Sequence, residues 1–162
     1  MQRRHSNATA PMCIAVCEPR TNQSRSWHRC APCPICGSCD LHEAQCSERQ
    51  VTLLATGSEV WLAVQAREQL ESAGIGTAVV SMPCWELFVA QEQTYRQSVL
   101  GNGVRIGVEA AVRQGWDAYL GERGGFVGMK GFGASGPADE LYKMFDITCD
   151  AIVRQAQQLL GK

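Results

Sequence analysis

From residue 51 onward, short apolar runs alternate with amphipathic stretches. VTLLAT (51–56) is apolar and partly β-branched, the pattern of a strand buried on both faces. Gly57-Ser58 turns the chain, and Ser58 is expected to cap the helix that follows. In EVWLAVQAREQLESA, Val60, Ala63, Val64, Leu70 and Ala73 recur at helical spacing, with Glu59, Arg67, Glu68 and Glu71 mostly away from that stripe. Gly74 stops the helix, and IGTAVVS (75–81) reads as a second buried strand. This β-α-β unit predicts a parallel pair joined by a right-handed crossover. In MPCWELF, Pro83 bends the exit, while Trp85, Leu87 and Phe88 supply bulk at a strand end. QEQTYRQSVL reads as a helix ended by Gly101-Asn102-Gly103, and VRIGVEA (104–110) as a third strand. A short aromatic helix is expected over 115–120, then a brief strand near 126–128 and a glycine-rich turn. Pro137 fits the first turn of a helix through ADELYKMF. Thr148 caps a last helix with Ile152, Val153, Ala156, Leu159 and Leu160 inside. The sum is a small α/β fold, a mostly parallel sheet with helices on both faces.

The first 46 residues have a different texture. Seven of the nine cysteines, all three histidines and four of the six prolines precede residue 47. The chain therefore reads as a Cys/Pro/Arg-rich leader over 1–46 and a globular body over 47–162. The leader offers no periodic apolar face to offset the entropy of ordering it, so disorder is expected there.

A net charge of −1 gives no basic excess for nucleic acid or an anionic membrane. No apolar run approaches the ~20 residues of a membrane span. The N-terminal arginines lack an apolar h-region, so a cytoplasmic location is expected, with organelle targeting left open by the Arg/Ser content.

The body contains no histidine, which weighs against Ser-His-Asp or Cys-His nucleophiles and His-ligated zinc. Cys84 and Cys149 stand alone and read as small apolar residues. Glu59, Glu86 and Glu109 are candidate acids, each with a solvated or capping explanation. The glycines from 121 to 136 lack phosphate-loop spacing and are better read as turns. The Gly57-Ser58 turn offers helix N–H groups to an anion, a generic feature.

Four strings carry a resemblance: VTLLATGSEVWLAVQA, VVSMPCWELFVAQEQTYRQSVL, VEAAVRQGWDAYLG and GFGASGPADELYKMF. In order and spacing they resemble the C-terminal domain of transketolase, over about 47–162. The motif positions are Gly57, Ser58, Glu59, Pro83, Trp85, Glu86, Phe132, Gly133, Ser135 and Pro137, read as structural. Gly136 departs from the alanine usual before that proline. The resemblance implies a homodimeric parent enzyme that uses thiamine diphosphate and a divalent metal (Mg or Ca) to move a two-carbon ketol unit between sugar phosphates. It implies that the C-terminal domain packs on the pyrimidine-binding domain and supports the dimer. No catalytic or cofactor-binding residue carries over to this chain, and no cofactor is expected on it.

Within CAPCPICGSC, Cys30, Cys33, Cys36 and Cys39 form C-x₂-C-x₂-C-x₂-C. Four thiolates suit zinc or an iron–sulfur cluster, yet a single tetrahedral site would need a tight wrap. A second reading is a codon shift. Displaced by two bases, RTNQSRSWHRCAPCPICGSCDL can read THQPVEELASLRTMPNMRVVRP, which resembles the family's pyrimidine domain. CIAVCE (13–18) and LHEAQCSERQ (41–50) resemble the family in the unshifted frame. The expectation is a truncated, frame-disrupted transketolase with an out-of-frame leader, inactive alone. The alternatives are a module that docks on intact transketolase or binds an anion, and a metal-binding leader fused to an α/β domain.

Overall fold

The computed structural model describes residues 39–162. Most of the expected leader, with Cys30, Cys33 and Cys36, lies outside the described residues; Cys39 opens the first strand. The elements are β1 (Cys39–His42), β2 (Val51–Ala55), α1 (Glu59–Ser72), β3 (Thr77–Ser81), α2 (Trp85–Val89) and α3 (Gln93–Leu100). Then come β4 (Val104–Val112), α4 (Asp117–Leu120), β5 (Gly125–Met129), α5 (Ala138–Met144) and α6 (Cys149–Leu160). They form one sheet of order β1-β3-β2-β4-β5, in which β2, β3, β4 and β5 run parallel and β1 is antiparallel.

The strands divide the interior by parity. In β2, Val51, Leu53 and Ala55 join one core with α1 and α6, while Leu54 joins the other. Val79 and Val80 split the same way in β3. The first core holds Ala63, Ala66, Leu70, Ile106, Val108, Ile152 and Ala156; the second gathers Met82, Phe88, Val99, Trp116, Tyr119 and Leu120. A strand buried on both faces is mostly apolar throughout, as VTLLA and TAVVS are, and the buried Thr52 and Thr77 hydroxyls donate to the Leu100 and Ile75 carbonyls. Each fully buried large side chain contributes about 1.5–3 kcal/mol.

The structure differs from the sequence expectation at several points. MPCWELF, expected only to supply bulk at the end of a strand, forms the short helix α2, with Cys84 extended at its N-cap and the Phe88 N–H bonded to the Cys84 carbonyl. Ser58 occupies the N-cap of α1 in a helical conformation and makes no side-chain cap; its hydroxyl donates to Glu59 Oε1 at 3.0 Å instead. Arg67 and Glu59, expected mostly off the apolar stripe, are 7% and 5% exposed, and Ala73 is exposed. Polar groups enter a core only where partners meet them, and both have partners. Thr148 does cap α6, accepting the Ala151 N–H at 3.2 Å.

Two features tie α3 to the sheet. Arg105 Nη2 donates to the Gly101 carbonyl at 2.7 Å, and its Nη1 donates to the Tyr119 carbonyl at 3.1 Å. Arg49 Nη1 donates to the Ser98 carbonyl at 3.0 Å, and Thr52 Oγ1 to the Leu100 carbonyl at 3.0 Å. Cationic donors at a helix C-terminus meet carbonyls that lack helical partners and oppose the negative end of its dipole. Burial and the nearby Arg49 guanidinium lower the Arg105 pKa.

The chain from Glu43 to Gln50 is laid against the body ahead of the boundary expected at 47. Glu71 accepts the N–H groups of Thr77 at 2.7 Å, Cys46 at 2.7 Å and Gln45 at 3.2 Å. Burial pushes the Glu71 carboxyl up, but these bonds and one from the Cys46 side chain outweigh it and bring the pKa from 4.5 down to about 2. Because the folded value is depressed, the stability Glu71 contributes is complete above pH 4.5 and is lost as pH falls through about 2. Urea midpoints measured from pH 5 to 2 should therefore fall more steeply for the parent chain than for Glu71→Gln. Parallel slopes would contradict this.

Candidate functional site

In a parallel sheet the connections that follow the strands gather at one edge. Here that edge holds the residues after β2, β3, β4 and β5, and most of the positions singled out by motif. Every residue from 130 to 140 is exposed, and Phe132 is fully so at 101%. The other exposed large apolar side chains include Trp61 on the first turn of α1, Leu87 and Val89 on α2, and Val112 at the end of β4. Met144 closes α5 and is exposed as well.

Beneath that apolar rim lies a small polar knot. Gly57 adopts φ +58, a left-handed turn that favours glycine. The turn delivers Glu59 into the interior, where its carboxylate accepts from Ser58 Oγ and from Tyr142 Oη. Ser58 Oγ and Tyr142 Oη are 3.2 Å apart. Burial raises the Tyr142 pKa, and its bond to Glu59 raises it further. The three groups pin α5 to the start of α1. Tyr142→Phe leaves a buried carboxylate one donor short, with an expected loss of about 1–3 kcal/mol in urea unfolding.

The second feature is aromatic. Trp85 meets Trp116 edge-on at 5.1 Å between centroids and Tyr119 at 5.3 Å. Phe88 reaches Tyr119 at 5.9 Å, and Trp116 reaches Phe126 at 6.1 Å. Trp116 Nε1 donates to Glu109 of β4. Gly115, at φ +90, leaves room for Trp85; an added Cβ would stand 2.7 Å from Trp85 Cζ3. Burial and then the Glu86 carboxylate raise the Tyr119 pKa, with Arg96 working against them. The effect is to seat α2 rigidly, with Leu87 and Val89 outward and Phe88 inward.

The motif residues thus fall into groups. Gly57, Ser58 and Glu59 belong to the polar knot, while Trp85 belongs to the aromatic cluster. Pro83, just before α2, and Glu86, within it, are exposed, and Glu86 accepts from Cys84 Sγ at 3.5 Å. Phe132, Gly133, Ser135 and Pro137 lie in the exposed segment. Of the candidate acids, Glu59 and Glu109 are tied to Tyr142 and Trp116. Burial, then Asp150 and Glu68, raises the Cys149 pKa. Tyr142, Trp116 and Arg113, which pairs with Asp117 at 2.7 Å, were not singled out in the sequence. Tyr142 acts through Glu59, 83 residues away, which no local pattern contains; the partners of Trp116 and Arg113 lie within seven residues, at Glu109 and Asp117. Among the described residues no group of three His, Cys, Asp or Glu side chains is placed to hold a metal ion.

Comparison with known proteins gives a consistent answer. The family described as "Transketolase-like TK C-terminal domain" matches residues 37–148. A transketolase of Cereibacter sphaeroides is 60% identical over 111 residues, covering 68% of this chain and 17% of that protein. A transketolase of Rhodobacter capsulatus is 46% identical over 162 residues, covering 96% of this chain and 24% of that protein. Among solved structures, transketolase from Leishmania mexicana superposes with a TM-score of 0.70 at 44% identity, covering 77% of this chain and 18% of that one. A structure described as a split gene transketolase, an inactive β4 tetramer, shares the fold with a TM-score of 0.62 at 19% identity. The chain spans less than a quarter of the curated relatives named above.

Proposed function

Because the chain belongs to the transketolase family through its C-terminal domain, we propose that it is a non-catalytic piece of a transketolase, whose work is packing and dimer support. The parent enzyme in this reading transfers a two-carbon ketol unit between sugar phosphates with thiamine diphosphate and Mg or Ca. The partners of the edge described above are the parent's pyrimidine-binding domain and its dimer mate. One observation carries the reading: exposed apolar side chains concentrate on the strand carboxyl edge, beside an eleven-residue exposed segment at 130–140. An apolar rim of this kind marks a surface that meets protein.

The described residues gather no metal-ligand set, so no step through the cofactor or its metal is assigned to this chain. Among the described residues, no helix is long and apolar enough to cross a membrane. A cytoplasmic location is the simplest one for such a parent, and a chloroplastic relative from Solanum tuberosum keeps organelle targeting within the same reading.

The test is a ketol-transfer assay with thiamine diphosphate and Mg, using this chain alone and then together with a transketolase lacking its C-terminal domain. No turnover alone and partial restoration in the mixture is the expected result. Turnover by the chain alone would overturn the proposal. The frame-disrupted origin of the leader is tested separately by reading codons 19–41 in all three frames. A stop within the frame shifted by two bases would exclude it.

A second reading is favoured by the same exposed edge: a module that docks on intact transketolase. Co-elution with the full-length enzyme in size exclusion is its requirement. In either reading the paired substitution Phe132→Ser and Val89→Ser should weaken association, with urea stability changed by less than about 0.5 kcal/mol, as for surface positions generally.

A further inference from the structure

The amino edge of the sheet, opposite the apolar rim, carries a pocket of charged groups. Arg105 is the second residue of β4, and Glu122 and Arg123 belong to the turn between α4 and β5. These three side chains, with Val104, Leu120 and Gly121, line a cavity of about 290 Å³. That volume is close to the lower end of the ~300–1,000 Å³ range of small-molecule sites.

The charges in the cavity are unbalanced. Arg105 is half-buried and gives Nη1 and Nη2 to the Tyr119 and Gly101 carbonyls. Its Nε is buried and has no hydrogen-bond partner. Among the described residues, neither Arg105 nor Arg123 meets a carboxylate at ion-pair distance. Burial and then the Arg49 guanidinium work against the Arg105 charge, while Arg49 has its own carboxylate, Glu43, at 3.9 Å. Glu122 and Arg123 are exposed, and their side chains make no hydrogen bond among the described residues. A partly buried cation without a counter-ion is costly, and an anion in the cavity would relieve that cost.

We propose that this cavity binds a small organic carboxylate, held by Arg105 and Arg123, with Glu122 accepting a hydroxyl of the same molecule. Charge sets the class. Two guanidinium groups and one carboxylate leave a single net positive charge in the lining. A monoanion cancels it, and a phosphate dianion overshoots it. A guanidinium has five N–H donors, of which Arg105 gives two to carbonyls, and its fork matches a carboxylate. Val104 and Leu120 supply an apolar wall for the carbon body. The site lies at the other end of the strands from the surface invoked in the proposed function, and it does not depend on that reading.

The test titrates the full chain with glycolate, acetate and inorganic phosphate at constant ionic strength, with phosphate kept as the dianion, and follows amide NMR shifts. Saturable shifts are expected at Gly103 and Gly121, which line the cavity, while the Leu53 amide in central β2 stays unmoved. Glycolate should bind more tightly than acetate, because only glycolate carries a hydroxyl for Glu122. Arg123→Gln should weaken glycolate by about tenfold, the scale of a lost charge-assisted bond. Glu122→Ala should bring glycolate and acetate within about twofold of each other, since the hydroxyl then has no acceptor. Both positions are exposed, so the variants should fold, and an unchanged urea midpoint reports that they do. Absence of saturable shifts at Gly103 and Gly121 would overturn the proposal. So would phosphate binding more tightly than glycolate, or glycolate affinity unchanged in Arg123→Gln. Displacement of glycolate by a peptide carrying one aspartate would support the carboxylate site and make a protein side chain its source. Failure of that peptide to compete would support a free acid as the ligand.

Discussion

Trp116→Ala is expected to cost about 3–5 kcal/mol of folding stability, the range for removing a large buried aromatic ring. Ordinary domains have only ~5–15 kcal/mol in total, so much of the chain should be unfolded without denaturant if its stability is at the low end. The side chain is 0% exposed and lies at the meeting point of the second core. It contacts Trp85, Tyr119 and Phe126 and donates its only polar hydrogen to Glu109. Gly107 of β4 is built around it: a Cβ there would stand 3.2 Å from the Trp116 ring and 2.8 Å from Phe126. Truncation therefore removes packing from α2, α4, β4 and β5 together and leaves Glu109 without that donor. Urea unfolding followed by far-UV circular dichroism checks it. Trp61→Ala, at an exposed position, serves as the control and should change stability little. Equal losses in the two variants would show that the second core does not depend on Trp116.

The second large effect concerns the opposite face. Ile152, 0% exposed, is the largest fully buried side chain of α6 in the first core. Ile152→Ala should cost about 2–5 kcal/mol, from lost transfer energy plus the cavity left by partial collapse. The two residues lie in separate cores divided by the sheet. Their losses should therefore add within about 0.5 kcal/mol, as for distant sites without shared partners. Because a double alanine variant would have too little stability to measure, the cycle is better run with Ile152→Val and Trp116→Phe. A coupling well beyond that limit would mean that the sheet transmits strain between its faces.

Much of this arrangement was legible from the residues. The runs VTLLA and TAVVS read as buried strands from their length and β-branched content, and the glycines at 74 and 101 end the helices before them. Both positions have positive φ, a conformation that L side chains rarely adopt. Thr148 was readable as a cap because capping is local, a hydroxyl and an amide three residues apart. Ser58 looked the same and behaves otherwise. A distant tyrosine and a neighbouring carboxylate claim its hydroxyl, and no local rule contains Tyr142. WELF reads as bulk at the end of a strand, and four residues are too few to show a helical period; in the structure they open a short helix that turns Phe88 inward while Leu87 and Val89 stay outward.

The sequence by itself determined the class of fold, the parallel core strands and the kinship carried by the motif strings, because those depend on periodicity, turn residues and residue identity at short range. Only the tertiary structure decided which polar groups are buried and why. Arg67, Glu71 and Glu59 are ordinary helix-surface residues by spacing, and their roles come from carbonyls, amides and a phenol brought to them by other elements. The same holds for β1. CDLH has no strand pattern of its own, and it becomes a strand because the β3 edge and two side chains of α1 satisfy its backbone and that of the residues just after it.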